Sequence, residues 1–199
     1  MKTQIKLLFL MAVIILFAGC NKSDDLINDS DIVLKSAQPH FVTLPFKADF
    51  VNTYLPETGP NSMCGDWDPA NGQFWMMVYG EGGGTATHLG KFTHHFEFCC
   101  DGASGIYPGP SGYMVAYFVA ANGDSLFLSV QGQVMDGRLD HHPEDVNSYF
   151  TDPWEITGGT GMFEGATGHG MTDDYNRDSY PDNSFHHWTG EITLVKGKR

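Results

Sequence analysis

The stretch from residue 113 to residue 134 constrains this chain most. Tyr113 to Ala121 runs into Asn122-Gly123-Asp124, and Ser125 to Val134 returns. Asn-Gly between two apolar alternating runs marks a tight hairpin, because its turn needs backbone angles that these two residues tolerate. On the return run Leu126, Leu128, Val130 and Val134 share one face, while Ser129, Gln131 and Gln133 take the other. An isolated hairpin of this kind is at best marginally stable, so its apolar face calls for more sheet. The rest of the chain supplies it. Phe46 to Tyr54 is one candidate strand. Gln73 to Tyr79, apolar on both faces, is another, and the glycines from Gly80 to Gly84 are expected to break it. His88 to Phe98 alternates with His88, Phe92, His94, Phe96 and Phe98 on one side and Lys91, Thr93, His95 and Glu97 on the other. Tyr149 to Thr157, Met162 to Met171 and Phe185 to Val195 complete a set of about eight strands. On the last, His186, Trp188, Ile192 and Leu194 share a face. The expectation is an all-β fold, a single antiparallel barrel of about eight strands that removes its own edges. A two-sheet sandwich is the alternative.

Composition supports that class, since glycine and aromatic residues are abundant and long Ala/Leu/Glu/Lys runs of helical period are absent. The segment Gly158-Gly159-Thr160-Gly161-Met162-Phe163-Glu164-Gly165-Ala166-Thr167-Gly168 is the most distinctive in the chain. Its glycines permit positive φ at a tight connection and close backbone approach. The pattern resembles one found in the β-barrels of the allene oxide cyclase and dirigent type. Thr87-His88-Leu89-Gly90 and Trp188-Thr189-Gly190-Glu191-Ile192 resemble an upstream segment and the closing strand of bacterial members, so the resemblance spans most of residues 73 to 195. It implies a small eight-stranded barrel with an apolar central cavity. No catalytic residue of the plant cyclases matches a position here, and a fold of this kind hosts many functions.

The first twenty residues are an address. Lys2 and Lys6 form a basic head, Leu7 to Ala18 is uncharged and apolar, and Ala18-Gly19 precede Cys20. At about a dozen residues the apolar run is too short to span a bilayer comfortably. Phe17-Ala18-Gly19-Cys20 resembles the lipobox of bacterial lipoproteins, with Phe17 where leucine is commoner. The resemblance implies cleavage before Cys20 and acylation of that cysteine, hence an outer-membrane lipoprotein held to the cell envelope. Residues 1–19 are then signal, 20–40 a polar tether and 41–199 the folded domain. The acidic residues behind Cys20 also resemble the surface-export signal of Bacteroidetes lipoproteins. The formal net charge of -13 becomes more negative once Lys2 and Lys6 are removed, which argues against nucleic acid as a partner.

Cys64, Cys99 and Cys100 remain after Cys20 is acylated. In an exported chain one disulfide is expected, joining Cys64 to Cys99 or to Cys100. Three histidine pairs, His94-His95, His141-His142 and His186-His187, each present at most one imidazole to a given face of a strand. His88, Phe92, His94, Phe96, His186 and Trp188 therefore form a candidate cavity lining, suited to a small apolar molecule with one polar group. Bulky rings filling the barrel would be the competing outcome. Convergent imidazoles could hold zinc or copper, but the spacing of His88 and His94 does not favour it, and no metal or other cofactor is expected. Asp174, Asn176 and Asp178 imitate the opening of an EF-hand loop, yet Ser179 and Phe185 stand where glycine and glutamate belong, so a solvated acidic loop is expected. The functional expectation is a non-catalytic, lipid-anchored barrel that binds a small apolar ligand or serves as a surface module. The alternative is a cyclase or isomerase acting on an apolar substrate inside the barrel.

Overall fold

The computed structural model describes residues 40–65, 68, 70, 72 and 74–197. The signal segment, Cys20 and the tether as far as residue 39 lie outside the described residues. Among those residues eight principal strands form the body: β1 Phe41–Tyr54, β2 Trp75–Ala86, β3 Gly90–Asp101, β4 Met114–Ala120, β5 Ser125–Val130, β6 Pro153–Gly159, β7 Thr167–Thr172 and β8 Tyr180–Val195. Each pairs with the next in chain order, and β8 returns to pair with β1 from Phe41↔Val195 to Thr53↔Asn183. Every pairing is antiparallel, so the chain forms a closed, eight-stranded, up-and-down barrel. Closure leaves β1 and β8 with partners on both sides, which is why these strands tolerate their length.

Short strands lengthen one end. Val146–Phe150 precedes β6, and Asp174–Arg177 follows β7 along the first half of β8. Alternation carries across the step at Asp173, so Thr172 and Asp174 both turn inward and are buried. One end of the barrel is packed solid by Phe46, Phe118, Leu126, Trp154, Phe163 and Ile192. Phe163 comes from the glycine-rich segment, where Gly161 (φ 56°) and Gly165 (φ 75°) bracket a short 3-10 turn that lays the ring across that end.

Three local expectations are corrected. The glycines from Gly80 to Gly84 do not break a strand, because β2 runs straight through them. A Cβ on Gly82 would lie 2.0 Å from the Val51 carbonyl oxygen and 2.9 Å from the His94 ring, and one on Gly84 2.1 Å from the Asp49 oxygen. Glycine lets β1 and the rings above it approach this strand closely. His88 does not share the inward face of β3. It sits in the β2–β3 turn at φ 69°, exposed, with Nε2 3.1 Å from the Pro45 oxygen. The strand expected from Met162 begins only at Thr167, since Gly161–Phe163 is helical.

Candidate functional site

The solid packing stops halfway along the barrel. Beyond it lies a cavity of about 310 Å³ whose walls are mostly apolar: Val78, Phe96, Phe98, Met114, Val130 and Trp188 among others. Period-two alternation places these side chains there, because each strand contributes every second residue. Phe96, His186 and Trp188 of the expected lining are on the cavity wall. Phe92 and His94 also point inward but sit in the aromatic packing, Phe92 stacked on Phe118 with ring centroids 4.3 Å apart and His94 4.9 Å from the Phe50 ring. His88 is displaced from the site by the turn that holds it.

Polar groups on one wall form a single directed chain. His186 Nδ1 lies 2.7 Å from Asp174 Oδ2, and His186 Nε2 lies 2.8 Å from Ser184 Oγ. A carboxylate accepts, so Nδ1 carries the hydrogen and Nε2 accepts from the serine hydroxyl. Asn52 Nδ2 donates to Ser184 Oγ at 3.3 Å, and Asn52 Oδ1 accepts from His94 Nε2 at 3.0 Å. Asp174 also receives Trp188 Nε1–H at 3.0 Å and the His187 backbone N–H at 2.9 Å. Three N–H donors thus satisfy this buried carboxylate. The Phe50 ring stacks on His186 at 4.4 Å and 3°, fixing the plane of the imidazole.

Tyr107 brings a second polar group to the same space, with Asp152 behind it. Tyr107, on the cavity wall, donates its hydroxyl to Asp152 Oδ2 at 2.5 Å. Burial raises the Asp152 carboxyl above the usual carboxylate range. Burial, then the adjoining carboxylate, pushes the Tyr107 hydroxyl far up, so it stays protonated as a donor. The Cys100 thiol also lines the cavity, and burial lifts it to about 11. His94 is driven the other way, to about 3, by burial first and then by His186 and His95. It is therefore neutral at ordinary pH, with Nδ1 lacking a hydrogen-bond partner among the described residues.

The disulfide joins Cys64 to Cys99, and Cys100 is free. Neighbours on a strand face opposite ways, so Cys99 points outward toward the loop bearing Cys64 while Cys100 points into the cavity. Asp174, Asn176 and Asp178 do not converge. Asp174 turns into the barrel, Asn176 bonds Tyr54 and Ser148, and Asp178 accepts from Asn147 at 2.7 Å. What resembled a loop of oxygen ligands is thus partly the floor of the polar chain. Asp174 and Ser184 join the cavity wall although neither was expected there. Extending period two back from His186 and Trp188 reaches Ser184, so that signal was present; the signal for Asp174 was masked by its acidic neighbours.

Outside the cavity, His141, His142 and Asp173 bring their ligand atoms within 4.8 Å of one another. His142 Nδ1 accepts the Leu139 backbone N–H at 3.2 Å, which places the ring hydrogen on Nε2, aimed at Asp173 Oδ1 2.9 Å away. That nitrogen has no lone pair to offer, so the cluster reads as two imidazoles sharing a carboxylate.

No family model matches the chain, and no curated protein matches it. Among solved structures it is similar to two dirigent proteins. The pterocarpan synthase dirigent protein GePTS1 aligns at TM-score 0.36 with 14% identity over 83% of this chain and 91% of that one. The pterocarpan synthase dirigent protein PsPTS1 aligns at TM-score 0.40 with 13% identity over 79% of this chain and 97% of that one, and the chain itself has the eight-stranded barrel that its glycine-rich segment implied.

Proposed function

We propose that this chain is an envelope lipoprotein, anchored through Cys20, whose barrel binds a small and mostly apolar molecule carrying one hydrogen-bonding group. The observation that carries the reading is the cavity itself, apolar on most of its wall with Ser184, His186 and Asp174 gathered on one side. Apolar walls supply affinity, and a few fixed polar groups set orientation. A volume of about 310 Å³ suits a ligand of modest size.

The test is binding of an environment-sensitive apolar dye to the purified chain. Saturable binding is expected, weakened about tenfold or more in Trp188→Ala with the fold retained by circular dichroism. Equal binding by the variant and the parent would place the dye elsewhere and overturn the reading. Anchoring is tested by labelling cells with a fatty acid. Label is expected on the parent chain and not on Cys20→Ser; label persisting in the variant would refute acylation at Cys20.

A second reading, an enzyme that handles an apolar substrate, is favoured by one observation. The His186–Asp174 pair, an imidazole hydrogen-bonded to a buried carboxylate, faces the cavity. Groups of this kind in a cleft are the usual equipment of proton transfer.

A further inference from the structure

We propose that Ser184 is an activated nucleophile and that the cavity takes a small apolar ester, which it cleaves through an acyl-enzyme. The inference rests on the cavity reading and names the chemistry of its occupant. Its basis is the order of contacts along one wall. Ser184 Oγ lies 2.8 Å from His186 Nε2, and His186 Nδ1 lies 2.7 Å from Asp174 Oδ2. A nucleophile within hydrogen-bond reach of a base, with the base oriented by a third group, is the recognisable arrangement for covalent catalysis on any fold. Here the three side chains come from adjoining strands: Ser184 and His186 are two apart on β8, and Asp174 follows β7 opposite them.

The surroundings fit the role. Asp174 fixes the tautomer, because its oxygen can only accept, which leaves Nε2 bare toward the serine. Phe50 stacked on the imidazole keeps the ring from turning. Ser184, His186 and Asp174 all lie on the cavity wall, beside Phe96 and Trp188, which offer apolar surface to an acyl or alkyl chain. Asn52 Nδ2 donates to Ser184 Oγ at 3.3 Å, which places an amide donor beside the attacking oxygen.

The chemistry balances without a further reagent beyond water. Ser184 Oγ bonds to the ester carbonyl carbon as its proton passes to His186 Nε2. The tetrahedral species collapses, the bond from carbon to the alcohol oxygen breaks, and the imidazolium returns the proton to that oxygen. Water then attacks the acyl-serine, its proton going to His186 and on to Ser184 as the carboxylic acid leaves.

The test is reaction of the full chain with a butyl fluorophosphonate, followed by intact mass and peptide mapping. One adduct on Ser184, with loss of fluoride, is expected. Ser184→Ala should form none. Asp174→Asn presents an amide N–H to Nδ1 and reverses the tautomer, so its labelling rate should fall by about 10³–10⁴-fold. His186→Gln should slow labelling by a similar factor, and the parent should hydrolyse p-nitrophenyl butyrate where Ser184→Ala does not. No adduct, an adduct on another residue, or unchanged labelling in His186→Gln would overturn the proposal. Apolar dye binding, measured on the same preparations, separates the two readings. Dye bound without an adduct sinks the nucleophile and leaves the cavity reading standing. Neither dye nor adduct sinks both. Ser184→Ala loses only a hydroxyl, so its result decides even if the other variants fold poorly.

Discussion

At the scale of single residues, His94 has the most distinct consequence for pH. Its imidazole is buried among Phe50, Phe92 and Phe96, and burial holds its pKa at about 3 against 6.5 for a free histidine. The unfolded chain therefore binds a proton that the folded chain refuses between those values. Stability from this source is complete above pH 6.5 and declines as pH falls through the window, at up to about 1.4 kcal/mol per pH unit. Replacing His94 by glutamine keeps an N–H donor for the Asn52 oxygen and removes the titration. Denaturant unfolding at pH 7 and pH 5 should therefore show the parent losing about 2 kcal/mol more than His94→Gln. Equal losses would mean that His94 does not govern the acid limb. The alternation around position 94 foretold that this histidine faces inward; whether it lines the cavity or packs behind it depended on how Phe50 and Phe118 fill the space, which no local pattern encodes.

Whole strands were legible to the extent that their residues obey period two. The hairpin at Asn122-Gly123 closes as its residues require, with Gly123 at φ 89°, and Leu126, Leu128 and Val130 are buried together. β2 was not legible through its glycines, because a glycine-rich stretch reads as a breaker until the neighbouring strand is known. In the barrel the inward positions Gly80, Gly82 and Gly84 are where Asn52, the Val51 oxygen and Phe50 press on β2. A methyl group at position 82 has no room, since the nearest obstacle is backbone. Gly82→Ala should destabilise the domain by about 2 kcal/mol or more, the cost of overpacking a site that cannot relax. Glu81→Ala, one residue away on the exposed outer face, should change stability by no more than about 0.5 kcal/mol. Comparable thermal midpoints for the two variants would show that β1 and β2 do not approach as closely as described. Similar reasoning explains why Asp174 was missed: acidic residues around it suggested solvent, but the strand direction set by β8 turns only this one inward.

For the molecule as a whole, the barrel is asymmetric: one end is filled by Trp154, Phe163 and their neighbours, and the other keeps a cavity. The connection between β1 and β2 pairs Gly59–Pro60 with Met77 and Met76. It is secured by Cys64–Cys99, which packs with Met77 and the rings of Trp75, Tyr79 and Tyr113 in a small cluster on the outer face. The bridge spans 35 residues, so it removes unfolded-state entropy worth about 3–4 kcal/mol in the loop-closure account. Replacing both Cys64 and Cys99 by alanine should lower unfolding stability by that amount, and a reductant should lower the parent to the same level. Cys100→Ala should have a smaller effect, confined to one buried thiol facing the cavity. Because the barrel closes through β1 and β8 without help from this loop, the double variant should keep its strand content by circular dichroism. Dye binding should weaken, since Thr58 of the loop lines the cavity with Tyr54 at its edge. Loss of strand content instead would show that the bridge maintains the barrel rather than the wall of its cavity.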